Sequence, residues 1–446
     1  MFFVWFLSII WLVFHFETTK TGLNVQATQA DDKPVNEWGQ GWPIVLSSLV
    51  GIALCLSPLP FYTLIVLAPE LAKEFHWTRA QVTGGFMFMT LGVLIGAPIV
   101  GLLSDRLGTR RVLLPSIVFL GLLMASFSVM NGSIWMFYGI FLLMSILGAG
   151  TLPITWSKAI VNNFDGSRGL ALGVALTGTG LFGFFAPPYT QWLIDAYGWR
   201  VAYIGIGLLP IALSFPLAYI LYHDPKDVKV NPKTHKSSTQ LPGLNFAEVL
   251  VNYRFYLMLI SFLILGAMVS GILGNAKFIL MDKGYSAQMA ASFFRGAGLI
   301  GLSVLVGRLI GGVAVDYIWA PAVAFVFMAA PAISCLIFMQ SDSSVALNSL
   351  ALILTGLAAG VEYDLMAYLV SRYFGMKSYS KIYAFIYVAF AIGSGGSPAI
   401  YNKIYQSSGS YTPILKLAAI GFLSAAALLL LLGKYEKFND GPSDPL

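Results

Sequence analysis

Gly101-Leu-Leu-Ser-Asp-Arg-Leu-Gly-Thr-Arg-Arg111 is the stretch on which the reading of this chain turns. It closes a long apolar run and opens a short loop holding Asp105, Arg106, Arg110 and Arg111. Gly101 carries no side chain, so two helices can approach closely there. Asp105 can meet a positive partner from a neighbouring helix, or cap that helix's start. Arginines in a short loop after an apolar run hold the loop at the cytosolic face of a membrane.

Composition places the rest of the chain in a bilayer. Hydrophobic residues make up 57% and charged residues 10% of the sequence, against roughly 25% charged in soluble domains. Mean hydropathy is +0.78. A spanning helix needs about 20 apolar residues. Hydropathy predicts twelve spans, at 43–67, 82–104, 112–130, 134–161, 169–192, 200–222, 256–280, 290–315, 320–340, 347–371, 383–404 and 412–433. The fold class is therefore an all-α membrane protein.

The basic residues sort to one side of these spans. That side carries Arg106, Arg110, Arg111, Arg168, Lys226, Lys229, Lys233, Lys236, Arg254, Arg372, Lys377, Lys381, Lys434 and Lys437. The other carries Lys73, Arg79, Arg200, Lys283 and Lys403. The first side is expected in the cytosol, with both ends of the helical body. The expected location is the inner (plasma) membrane of a bacterium. The net charge of +6 thus reflects membrane orientation and does not point to nucleic acid.

Cys55 and Cys335 fall inside apolar spans, so no disulfide framework is expected. His15, His76, His223 and His235 show no metal spacing, and no glycine-rich phosphate loop follows a strand. No metal, cofactor or enzymatic nucleophile is expected. Asn131-Gly-Ser is a glycosylation sequon in a very short loop.

The chain repeats itself. Gly96-…-Gly101-Leu-Leu-Ser-Asp105 matches Gly307-…-Gly312-Val-Ala-Val-Asp316, and Phe164 matches Phe374. Two six-helix halves in parallel repeat give that signature. The predicted division is an N-terminal extension 1–41, a first bundle 42–222, a cytosolic linker 223–254, a second bundle 255–434 and a cytosolic tail 435–446. The linker holds Pro225, Pro232 and Pro242, with a short amphipathic helix expected around Phe246–Leu250. Met1–Phe16 is apolar and aromatic but short for a span. It reads as an interfacial helix or as a start placed too far upstream, outside the helical body.

The Gly101–Arg111 loop resembles the loop between the second and third helices of the major facilitator superfamily. Further stretches narrow the likeness: Glu74-Phe-His-Trp-Thr-Arg-Ala-Gln-Val82, Gly180-Leu-Phe-Gly183, Gly198-Trp-Arg200 and Arg308-Leu-Ile-Gly-Gly-Val-Ala-Val-Asp316. Together these resemble the monocarboxylate-transporter and oxalate/formate-antiporter branch. The likeness covers nearly all of residues 42–434. It implies a twelve-helix transporter whose arginine in the eighth span grips a substrate carboxylate, the position held here by Arg308. In monocarboxylate carriers an aspartate one turn earlier relays protons; this chain has Val304 there. Their first-span lysine aligns with Tyr62. Oxalate carriers place a second cation in the eleventh span, yet residues 383–402 hold no Lys or Arg.

Physical reasoning picks out the same arginine. Arg308 precedes Asp316 by eight residues, so it lies roughly 12 Å inside the bilayer at 1.5 Å rise per residue. A charge there costs about 2.5 kcal/mol or more unless it is paired or lines water. Its planar fork fits a carboxylate bidentately.

Gly360-Val-Glu362-Tyr-Asp364-Leu places two carboxylates in the tenth span, Glu362 roughly 15 Å before Arg372 by the same rise. They stand about 200° apart around the helix, so they face different ways. They are candidates for proton coupling, or for balancing Arg308, Arg295 or Lys277. Tyr62, Asn275 and Tyr363 join Arg308 as candidate substrate contacts; Gly274 beside Asn275 permits local unwinding. Tyr189 and Trp156 are further aromatic cavity candidates, and Lys158 is expected to snorkel to the interface. Asp105, Arg106, Arg110 and Asp316 are candidate gating residues.

The sequence therefore predicts a monomeric secondary active transporter of a small organic anion, a monocarboxylate that could be aromatic, working by alternating access with a proton as a candidate partner. Two alternatives stay open: a carrier or efflux pump for a neutral or cationic molecule, and a transport-dead sensor on the same fold. No added soluble domain favours the sensor.

Overall fold

The long apolar runs fold as helices, because a bilayer leaves backbone N–H and C=O groups no other partner. The computed structural model describes residues 37–223, 242–286, 289, 299–340 and 343–436. Residues 1–16, most of the linker with its four lysines, Arg295 and residues 437–446 lie outside them. Among the described residues, eleven helical stretches are long and apolar enough to cross a membrane. One of them, Arg168–Leu221, runs 54 residues, roughly 80 Å by helix rise and too long for one crossing. Gly198 breaks it at φ 82°, ψ 165°, a conformation only glycine adopts readily. With that break the body has twelve spans in two six-helix halves.

The first half differs from the predicted spans in one respect: its inner helices are jointed. The first span is two helices, α1 (Glu37–Ala53) and α2 (Pro58–Phe75). Pro58 and Pro60 lack N–H donors, so the ladder cannot run through the joint. The N–H of Leu56 is instead taken by Thr151 Oγ1 at 3.0 Å, buried. After α3 (Gly85–Leu107) and α4 (Thr109–Ser126), the fourth span is jointed too. It runs as α5 (Ile134–Leu147), a 3-10 turn Gly148–Thr151 and α6 (Pro153–Asn163). Thr151 joins these breaks, since its carbonyl also accepts Trp156 Nε1 at 2.9 Å. Trp156 is fully buried. It packs in the core. The fifth span divides at Thr177 into α7 (Arg168–Leu176) and α8 (Gly178–Leu209), and α9 (Phe215–Leu221) completes the sixth.

In the second half the corresponding helices are continuous. A one-turn helix, α10 (Phe246–Leu250), stands where the linker predicted one. Glu248 accepts from the backbone and the side chain of Asn245, which holds its carboxyl below the usual carboxylate range. Then come α11 (Tyr253–Asp282), α12 (Leu299–Tyr317), α13 (Ala320–Met339), α14 (Val345–Phe374), α15 (Tyr379–Ser408) and α16 (Thr412–Leu430). Helices α11, α14 and α15 each run 30 residues without a break. The unwinding expected at Gly274 does not occur: Asn275 Nδ2 donates to Gly271 O at 2.9 Å, within the helix, and to Pro398 O at 3.2 Å.

The halves cross where glycines meet backbone. A Cβ on Gly101 would lie 2.8 Å from Ser380 O. One on Gly169 would lie 2.2 Å from Gly312 O, and one on Gly312 2.5 Å from Gly169 O. In the Thr177–Gly180 stretch only Gly178 is such a notch, 2.2 Å from Leu49 O; a Cβ at Gly180 meets nothing within 4 Å.

Candidate functional site

Two levels of polar contact can be distinguished, one at the basic face and one within the bilayer. At the basic face the halves are tied by carboxylates set on opposing helix starts. Asp105, at the end of α3, accepts the N–H of Lys381 in the first turn of α15 at 3.1 Å. Asp316, at the end of α12, accepts Gly169 N at 2.6 Å and Leu170 N at 2.9 Å in the first turn of α7. Both contacts cross between halves. A carboxylate at a helix N-terminus satisfies orphan donors and opposes the positive end of the helix dipole.

Lys158 does not snorkel. Its side chain is buried and paired with Asp105 Oδ1 at 2.8 Å, each charge offsetting the cost of burying the other. Tyr379 donates to Ser157 Oγ at 3.0 Å and Arg168 to Ser371 Oγ at 3.2 Å, both between halves. Asp165 receives Arg168 at 3.1 Å and Arg372 at 3.4 Å, on a largely exposed carboxylate. The other two gating candidates stand apart. Arg110 reaches Tyr219 O at 2.5 Å within its own half, and Arg106 is exposed. The hydrogen bonds seen between the halves thus gather at the basic face, and the molecule is closed there.

The second level is built on α12 and α14. Gly307, Gly311 and Gly360 let these helices touch: a Cβ on Gly360 would lie 2.3 Å from Val304 O, and one on Gly307 2.5 Å from Leu357 O. That approach brings Arg308 against Asp364. Arg308 Nη1 lies 3.3 Å from Asp364 Oδ1, with both side chains 3% exposed. The pair is monodentate and incomplete. Among the described residues, Arg308 Nε and Asp364 Oδ2 are buried without a hydrogen-bond partner, and so is Glu362 Oε1. Buried polar atoms are normally satisfied, so three orphans around one guanidinium call for a ligand or a change of state.

Tyr363 lies between the two carboxylates in sequence, with Arg308 Cζ 5.8 Å from its ring centre. Glu362, Tyr62 and the Cys55 thiol at the α1–α2 joint all lie within the field of Arg308. Of the predicted substrate contacts, Arg308, Tyr363 and Tyr62 come together with Glu362 and Asp364. Asn275 is held in the α11–α15 contact, its Oδ1 buried without a hydrogen-bond partner. Lys277 is exposed, and Tyr189 stacks near Trp192 with ring centres 6.0 Å apart.

Sequence reasoning missed Thr151, Ser157 and Tyr379. Uncharged hydroxyls give no signal in an apolar span; only Pro58 and Pro153 hint at the joints that Thr151 serves. It did quote Glu74 and Arg200 in separate motifs, and the structure pairs them at 3.1 Å, with Arg200 also stacked 4.1 Å over Trp199.

Residues 50–398 match the profile of the Major Facilitator Superfamily. Monocarboxylate transporter 13 of Bos taurus is 24% identical over 422 residues, 91% of this chain and 92% of that protein. Monocarboxylate transporter 13 of Rattus norvegicus is 31% identical over 182 residues, 39% of this chain and 40% of that protein. An uncharacterized MFS-type transporter, YhjX, of Escherichia coli (strain K12) is 25% identical over 75% of this chain and 81% of its own length.

Among solved structures, the human organic anion transporter MFSD10 (TETRAN) is similar with a TM-score of 0.67 at 18% identity, covering 89% of this chain and 100% of that one. The fucose:proton symporter FucP of E. coli gives 0.65 at 16% identity over 89% and 98%. These structural likenesses speak to fold. With the profile spanning most of the twelve helices, the chain belongs to the Major Facilitator Superfamily of membrane transporters.

Proposed function

We propose that the protein carries a small organic anion, a monocarboxylate, across the membrane by alternating access. The basic face is the cytosolic one, and Arg308 holds the substrate carboxylate. The observation that carries this reading is the incomplete Arg308–Asp364 pair: a buried guanidinium with one monodentate partner and an unpaired Nε. A substrate carboxylate supplies the missing acceptor, and a bidentate fit suits the arginine fork. The monocarboxylate transporters among its relatives support the substrate class. Glu362 and Asp364 are the proton-coupling groups. When a substrate anion occupies Arg308, one carboxylate takes up a proton, and no charge stays unpaired in the bilayer.

The test is binding of a panel of monocarboxylates to the purified protein in detergent, wild type against Arg308→Lys. A point charge replacing a planar fork is expected to weaken binding by tenfold or more, about 1.4 kcal/mol. Unchanged affinity in a folded mutant overturns the assignment. One observation favours a rival. Two buried carboxylates lie within reach of the charge of one guanidinium, Asp364 paired with it and Glu362 not, so the site also suits a cation, with Arg308 as a structural partner. Binding of organic cations but no acids selects that reading.

A further inference from the structure

Resting on the carboxylate reading of Arg308, we propose that the acid carried is an aryl carboxylate, its ring seated on Tyr363. The guanidinium is not surrounded by aliphatic side chains alone. Tyr363 lies 5.8 Å from Arg308 Cζ and is partly exposed. Behind it stand two buried rings of α15. Tyr387 stacks on Tyr363 at 5.8 Å between centres and 27° between planes. Phe390 meets Tyr363 at 5.3 Å and 63°.

Tyr363 is thus the outermost member of a three-ring stack that begins at the carboxylate-binding charge. On the first half, Tyr62 also lies within the electrostatic reach of Arg308. Its ring fills a notch at Gly183, where a Cβ would lie 2.6 Å from Tyr62 Cζ.

Ring pairs prefer offset-stacked or edge-to-face contact, with centres about 4.5–7 Å apart. A substrate ring joined to its carboxylate by zero or one carbon reaches Tyr363 while the carboxylate rests on Arg308. A two- or three-carbon acid satisfies Arg308 but leaves the aromatic face uncovered. Ring contact beyond simple burial then favours the aryl acid by about two- to twelvefold. The hydroxyl of Tyr363 has no part in this argument; the ring does.

The experiment uses the full chain in proteoliposomes. Uptake of labelled benzoate and phenylacetate is compared with that of acetate and lactate, as kcat/KM ratios, for wild type, Tyr363→Phe and Tyr363→Leu. The proposal expects the aryl acids to be preferred by wild type about tenfold. It expects Tyr363→Phe to keep that ratio and Tyr363→Leu to lose most of it. A ring that only packs the core would lower all four acids together and leave the ratio alone, which overturns the proposal. Equal handling of aryl and alkyl acids by wild type, with both lost in Arg308→Lys, also overturns it while the monocarboxylate reading stands. That wild-type ratio decides the matter even if Tyr363→Leu does not fold. Failure to bind any acid removes both readings.

Discussion

Asp105 and Asp316 make the same contact from opposite halves: each sets its carboxylate on backbone N–H groups in the first turn of a helix in the other half. The internal repeat is visible in this contact as well as in the letters. The two are not equal in surroundings. Asp105 also holds the buried Lys158 at 2.8 Å, whereas Asp316 takes two backbone donors.

Asp316→Ala removes two charge-assisted hydrogen bonds and a favourable charge at a helix start. Roughly 2 kcal/mol, about a thirtyfold shift, should move the molecule away from the state closed at the basic face. Spin labels at Asn163 and Lys377 report the separation of the halves there. An unchanged distance distribution would show that this carboxylate does not set the conformation.

Lys158→Met strands Asp105 among buried groups. Removing one partner of a buried ion pair costs about 3–5 kcal/mol, while removing both with groups of similar volume costs far less. Thermal unfolding in detergent should therefore drop strongly for Lys158→Met and recover in the Asp105→Asn, Lys158→Met double mutant. Additive losses in the cycle would mean that the two residues do not act as a pair.

Gly169→Ala and Gly180→Ala make a matched comparison in one span. The first puts a methyl 2.2 Å from Gly312 O, and the second meets nothing within 4 Å. Gly169→Ala should hold the halves apart and slow transport by an order of magnitude or more. Gly180→Ala should be neutral or stabilise its helix by up to about 1 kcal/mol. Equal transport rates for the two would refute close approach at Gly169.

Proton coupling is tested by replacing Glu362 with Gln and Asp364 with Asn, one at a time, in vesicles with an imposed pH gradient. Symport with a proton makes an acidic outside drive accumulation and an alkaline outside oppose it. One of the two mutants should lose this accumulation yet still exchange labelled for unlabelled substrate. Should both still concentrate substrate, coupling lies with other residues, and Tyr62 and Lys158 are next to be replaced.

Much of this architecture is legible in the letters, because a bilayer enforces length and polarity. The Gly101–Arg111 stretch marks a helix end, and Arg308, Glu362 and Asp364 stand out as charges in apolar spans. What the letters hide is pairing across space. Periodicity puts Glu362 and Asp364 on different sides of α14, but only packing shows that Asp364 is the one against Arg308. Lys158 looks near enough to the interface to snorkel, and the nearby Asp105 draws it inward instead. Gly274 suggests a break where α11 runs straight, since one glycine costs only about 1 kcal/mol in a helix and tertiary contact overrides it.

The joints of the first half have a mechanical consequence. Arg308, Glu362 and Asp364 stand on rods whose hydrogen-bond ladders run unbroken, so their spacing is stiff. The wall opposite them is compliant: at residues 54–57 and 148–152 the chain bends without rupturing a ladder, because that ladder is already interrupted. Engulfing a ligand therefore deforms the first half and leaves the charged triad in register. The backbone amide of Ser57, half-buried in the first joint, should exchange with deuterium well before those in the middle of α14, and ligand should protect it.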